Sequence, residues 1–248
     1  MLPIRDENPK PIGYRPYVTY TLIAINVLVF FWEISVTHQF WEFTNQRAEN
    51  MLLSYGTIPS NIVNGFDNHN YTVFTSIFSS MFLHAGIIHI GGNMLFLWIF
   101  GDNVEYKFGR GKYLTLYLFW GVAADFFHIL SDPSSPVPAL GASGAISGVL
   151  GAYLIMFPNA KVVTLLLFGF FTRLQRISAK WYLPFWFIFQ NVLPVLIGSS
   201  GSGVAFFAHI GGFLVGLFAG FIYKKTHGSE YMYGTRYGWK GNGTNWRK

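Results

Sequence analysis

Cysteine is absent from the 248 residues, which excludes disulfides, a thiolate nucleophile and cysteine-ligated metals. Charge is scarce: Asp, Glu, Lys and Arg make up 11% of the chain, against about 25% in an ordinary soluble domain. So few charges cannot clothe a water-exposed surface. No His-Glu-x-x-His and no Gly-x-Gly-Asp occurs, which removes a zinc-hydrolase helix and an aspartyl pair of that type. No basic patch on a soluble fold is present, so nucleic acid is not an expected partner despite the formal net charge of +6. No metal or cofactor set is expected either.

What the chain has instead is apolar bulk. Hydrophobic residues make up 52%, aromatics 19%, and the mean hydropathy is +0.35. This is the composition of an all-α, multi-pass membrane protein. Apolar segments able to cross about 30 Å of hydrocarbon, or nearly so, fall at 17–36, 84–106, 113–131, 143–158, 181–198 and 204–223. The first follows Arg5, Lys10 and Arg15 and lacks a small-residue cleavage pattern, so it reads as a retained span. The stretch 162–171 is apolar but short, about 15 Å as helix, and is expected to be re-entrant or interfacial.

Six spans put every lysine and arginine except Arg47 on one side. By the positive-inside rule both termini are then cytoplasmic, with the cell membrane as the expected location. The expected organisation is a cytoplasmic arm at 1–16, a membrane domain at 17–223 and a basic, disordered tail at 224–248. Segments two, four and six then run from outside to inside. His89 and Asn93, Ser143, and His209 all fall roughly 8–13 Å below the outer boundary. His89 and Asn93, four residues apart, share a helix face. Polar groups at one depth in lipid ask for a function.

Ser143 is a candidate nucleophile and His209 a candidate base, if their helices approach closely. Small residues at Ser143, Ser147 and Gly151, and at Gly212, Gly216 and Gly220, permit that approach. The Ser143 amide, His89 and Asn93 are candidate donors to an oxyanion. The competing reading is that these fragments are packing motifs and His209 a satisfied interhelical hydrogen bonder. No carboxylate on the sixth span offers a third member. Asp125 and His128, three apart, are expected to pair with each other, and Glu105 to accept hydrogen bonds from nearby backbone or cations.

Four motifs in order, His84-Ala-Gly-Ile-Ile-His89-Ile-Gly-Gly-Asn93, Gly101-Asp-Asn-Val-Glu105-Tyr-Lys-Phe-Gly109, Gly141-Ala-Ser143-Gly144 and His209-Ile-Gly-Gly212-Phe-Leu-Val-Gly216, resemble those of the rhomboid family of intramembrane serine proteases. The resemblance covers about residues 15–223. It implies a six-transmembrane-helix bundle with a membrane-embedded first outer loop at about 38–81. It also implies a Ser143–His209 dyad, an oxyanion site of His89 and Asn93, and a lateral gate near Phe185, Trp186 and Phe189. The implied activity is hydrolysis of peptide bonds in or near transmembrane segments of proteins sharing the bilayer, with the active site toward the outer face. The alternative is an inactive rhomboid-like protein that binds or escorts membrane helices. Two departures stand out. Thr75 and Ser76 occupy the place of a Trp-Arg pair found in many relatives. Ser147 stands where some relatives have a tyrosine against the catalytic histidine, which makes its hydroxyl a candidate for orienting His209.

Overall fold

A computed structural model describes residues 1–8, 13–168, 171–197 and 205–228; the basic tail beyond residue 228 lies outside them. The chain is mostly helical. Helix α1 (Tyr17–Thr37) leads to a long connection holding α2 (Gln46–Tyr55), α3 (Pro59–Asp67) and α4 (Ser76–Ser79). Next come α5 (Ile87–Phe96), a π-helical turn at Leu97–Gly101, α6 (Asp102–Phe108), α7 (Arg110–Ser131) and α8 (Ser143–Met156). The last helical elements are α9 (Ala179–Phe187), α10 (Leu193–Leu196) and α11 (Phe206–Thr226). Helices α1, α7 and α11 are long and apolar enough to cross a membrane. A fourth such span exists if Tyr71–Phe82 and Ile87–Phe108, bent by 80°, count as one. Helix α8 is apolar but shorter.

One expectation is corrected. Among the described residues, 162–168 and 171 are extended strand and not helix. Strands β2 (Lys161–Phe168) and β3 (Phe171–Ser178) pair antiparallel, and β1 (Leu2–Asp6) adds to β2, so the fold is not purely α. The reason is local: Val162, Val163, Thr164 and Ile177 are β-branched and favour extended backbone. The sheet is fixed to the helices by side chains. Asp6 Oδ2 accepts from Tyr153 Oη at 2.7 Å and from Asn103 Nδ2 at 2.7 Å, linking β1 to α8 and α6.

Helix α8 lies at the centre, with 11 of its 14 residues buried. It can do so because glycine and alanine let its neighbours close in. A Cβ at Gly212 would strike the Gly144 carbonyl, one at Gly216 the Gly148 carbonyl, and one at Gly151 the Phe213 carbonyl. The backbones of α8 and α11 are therefore in direct contact along their length. On the opposite flank, Gly148 receives the Trp120 ring of α7. This is small-residue packing, the main attraction available between helices in lipid, where hydrophobic burial gives no advantage.

The buried carboxyl of Glu105 accepts from the Val18 amide at 3.2 Å, and from the Thr19 amide and hydroxyl at 2.8 Å each. It thus caps the first turn of α1, which has no cap of its own. Backbone and hydroxyl donors reach Glu105 as its place in the sequence suggests, with Arg110 Nε at 4.0 Å.

The glycine contact predicts an asymmetry. Gly216→Ala is expected to destabilise the protein by about 1–3 kcal/mol, because the new methyl meets backbone that cannot yield. Gly91→Ala, with open space around its Cβ, is expected to be neutral or slightly stabilising. Thermal melting in detergent checks both, and equal shifts would contradict the packing described.

Candidate active site

Three helices bring the sequence-flagged residues together. Ser143 is the first residue of α8, and His209 lies one turn into α11. Their approach, permitted by the glycine contact, puts His209 Nε2 2.7 Å from Ser143 Oγ. The loop before α8 turns at Gly141, whose φ of +117° is a conformation that side-chain-bearing residues rarely adopt. A Cβ there would lie 2.9 Å from both Cε1 and Nε2 of His89, and 3.4 Å from Ser143 Oγ. Glycine at 141 therefore lets the His89 ring sit against the turn that carries Ser143.

His89 and Asn93 are both on α5, as the four-residue spacing required. The Ala85 amide donates to His89 Nδ1 at 3.3 Å, so Nδ1 is an acceptor and the proton of the neutral ring sits on Nε2, the nitrogen that faces Gly141. Asn93 is buried, and its Nδ2 has no acceptor among the described residues. A buried donor without a partner is uncommon and asks for an explanation. Asn93, His89, Ser143 and His209 line one cavity of about 460 Å³. The amides of the first turn of α8, Ser143 included, have no intrahelical acceptor. Two side-chain donors and one helix terminus thus sit around Ser143, a suitable environment for negative charge on oxygen.

A second cavity, of about 300 Å³, opens on the other side of Ser143 and His209. It is lined by Met81, Gly121, Asp125 and Gly144 among others. Asp125 does not pair with His128, as the sequence spacing suggested. Its Oδ2 accepts from Thr57 Oγ1 at 2.8 Å and from Ser80 Oγ at 3.2 Å, while His128 Nδ1 has no partner among the described residues. The hydroxyls win because they arrive from the loop above α7 and point at the carboxyl. That clasp ties the 38–81 connection to α7 without a Trp-Arg pair; the Thr75 and Ser76 side chains close local turns, on Thr72 O and Val73 O, while the Ser76 carbonyl faces the Thr57 hydroxyl at 3.2 Å. Glu33 Oε1 accepts from the His84 amide at 2.8 Å, which anchors the start of α5 to α1. The His84 ring is fully buried, edge-on to His89 with centroids 5.1 Å apart.

One residue of the site is not singled out by its sequence context. Asn191, 1% exposed, lies in a π-helical turn (Ile188–Val192) between α9 and α10, with its Oδ1 2.6 Å from His209 Nδ1. Ser147 is buried one turn below Ser143, but both His209 nitrogens are engaged elsewhere, so the expectation that Ser147 orients the ring is not met. The available signal was Gln190-Asn191, a polar pair within the apolar fifth segment.

A Rhomboid domain model matches residues 71–226. The chain is 33% identical over 151 residues to "Rhomboid protein 1, mitochondrial" of Saccharomyces cerevisiae, covering 59% of this chain and 38% of that protein. It is 29% identical over 211 residues to "Rhomboid protease GluP" of Bacillus subtilis, covering 83% and 34%. It is 29% identical over 167 residues to the human "Presenilin-associated rhomboid-like protein, mitochondrial", covering 63% and 38%. The matches thus span little more than a third of each relative's length.

The Gly141 turn yields a prediction for the site. Gly141→Ala is expected to cost about 1–3 kcal/mol of stability from backbone strain and to displace His89. Reactivity of Ser143 toward a serine-directed probe should fall with it. Unchanged probe labelling would show that the His89 contact is not needed for the Ser143 environment.

Proposed function

We propose, from the premise that this chain belongs to the rhomboid family, that it is a serine endopeptidase cleaving transmembrane segments of other membrane proteins. It is an integral membrane protein, and the reading adds a six-span bundle with the 38–81 connection embedded at the outer face. The single observation that carries the reading is the 2.7 Å contact between His209 Nε2 and Ser143 Oγ, part-buried between the helices and lining a cavity. In a pure packing motif, hydroxyl and imidazole have no reason to meet beside two unused donors.

The chemistry rests on those atoms. As Ser143 Oγ attacks the scissile carbonyl carbon, His209 Nε2 takes its proton, and the carbonyl oxygen becomes an oxyanion. His89 Nε2–H, Asn93 Nδ2 and the Ser143 amide are placed to receive it. The tetrahedral species collapses as His209 returns the proton to the leaving amine nitrogen, breaking the C–N bond and leaving an acyl ester on Ser143. Water, deprotonated by His209, attacks the ester, and the second collapse frees the carboxyl product and restores Ser143. Substrates need an unwound or small-residue stretch, because a regular helix hides its peptide bonds in its own hydrogen bonding.

The positive-inside pattern supports termini on the cytoplasmic side and an active site toward the outer face of the cell membrane. Basic residues at the sheet end, Arg5, Arg173 and Arg176, and at the end of α11, Lys224 and Lys225, agree with that orientation.

Labelling with a fluorophosphonate tests the assignment. The wild type is expected to be modified at Ser143, and Ser143→Ala and His209→Ala to lose both labelling and cleavage of a reconstituted transmembrane substrate by at least about 10³-fold. An unlabelled wild type would favour a protein that binds membrane helices without cutting them. Cleavage persisting in Ser143→Ala would overturn the nucleophile.

A further inference from the structure

The proposed mechanism leaves the buried Asn191, which touches His209, without a task. Asn191 is placed by an irregularity of the fifth segment. Pro194 has no amide to donate, and its ring crowds the carbonyl four residues back, so the regular helical bond to Gln190 O cannot form there. The backbone widens instead, with the Leu193 amide bonding to Ile188 O, five residues back. The extra residue in that turn rotates the remainder of the segment by about 100° relative to a continuous helix.

The two ends of the Asn191 amide can be told apart by their partners. Nδ2 donates to Phe187 O at 3.2 Å, and a backbone carbonyl can only accept, so the nitrogen must face it. Oδ1 is then the atom 2.6 Å from His209 Nδ1. An amide oxygen can only accept, so His209 Nδ1 carries the proton. In the neutral ring Nε2 is then left with its lone pair, aimed at Ser143 Oγ 2.7 Å away. Fixing one end of the asparagine on its own helix thus fixes the tautomer of a histidine on another.

We propose that Asn191 is the positioning residue of the dyad, holding His209 in the base-competent tautomer and stabilising the imidazolium through Oδ1. This inference rests on the reading of Ser143 and His209 as a catalytic pair. It also accounts for the chemical type of the residue. A carboxylate would orient the ring as well, but it would leave a charge buried in a low-dielectric wall whenever His209 is neutral. An amide supplies the acceptor without the charge. Asn191 acts through His209 and reaches no substrate atom in this role.

The experiment compares wild type, Asn191→Ala and Asn191→Asp for fluorophosphonate labelling, kcat and KM on a reconstituted transmembrane substrate, pH profile and melting temperature. Asn191→Ala is expected to lower kcat about 10- to 100-fold, from one buried hydrogen bond lost, with KM within about threefold and melting within a few degrees. Asn191→Asp is expected to regain much of kcat, with the acid limb of kcat/KM moved to higher pH by about one unit, because a carboxylate favours the imidazolium. The other titratable groups whose charge the ring feels, His89 and His128, are unchanged in both variants. An active, labelled wild type with Asn191→Ala within twofold in kcat, or an Asn191→Asp profile that does not move, would overturn the inference and leave the protease reading standing. An unlabelled, inactive wild type would overturn both. If Asn191→Ala fails to fold, the near-isosteric Asn191→Asp decides by its pH profile.

Discussion

The direct contact between the backbones of α8 and α11 is the constraint on which the site depends. The carbonyls of Gly144 and Gly148 lie against Gly212 and Gly216, and that of Phe213 against Gly151, so backbone meets backbone. A single methyl inserted there would open a gap comparable to the difference between a hydrogen bond and none. Because Ser143 stands at the start of one helix and His209 near the start of the other, the glycine seam sets the length of the Oγ···Nε2 contact. Packing density and chemistry are one quantity here.

Around that seam, three buried carboxyl groups do similar work at three junctions. Glu105 holds the start of α1, Glu33 holds the His84 amide at the entry to α5, and Asp125 holds the hydroxyls of Thr57 and Ser80 above α7. Each receives donors from a distant segment. In an apolar medium a hydrogen bond to such a group has little competition from solvent, so a few of them can fix the connections that lie over the site. The 38–81 connection is held in this way at its middle, through Thr57, and at its C-terminal end, through Ser80 and the following His84.

The parts of the structure legible in the sequence are those where a polar residue interrupts an apolar run. Ser143, His209, His89 and Asn93 stood out for that reason, and the long helices α1, α7 and α11 announced themselves by length. What was not legible involves partners that only the tertiary fold supplies. The hairpin of β2 and β3 looked like a short membrane piece because its apolar run matched either; its pairing with Leu2–Asp6, at the far end of the chain, is invisible to a local window. Asp125 and His128 have helical spacing suited to a pair, but Thr57 and Ser80 outcompete the histidine from outside the helix. Asn191 was obscured by the π-helical turn. Regular helical periodicity assigns it a direction, and the turn around Pro194 alters that direction.

The buried Nδ2 of Asn93, without an acceptor among the described residues, has a consequence for what the cavity beside it favours. A buried amide donor favours an occupant that can accept from it, because leaving such a donor unmatched costs about 1–3 kcal/mol. Hydrogen bonds to a charged oxygen are roughly twice as strong as those to a neutral carbonyl, so the preference grows with the charge on whatever oxygen comes within reach. That position therefore discriminates among occupants by the charge on their oxygen, by degrees rather than all or none. A sequence optimised for rigidity alone would have no reason to keep asparagine at that position.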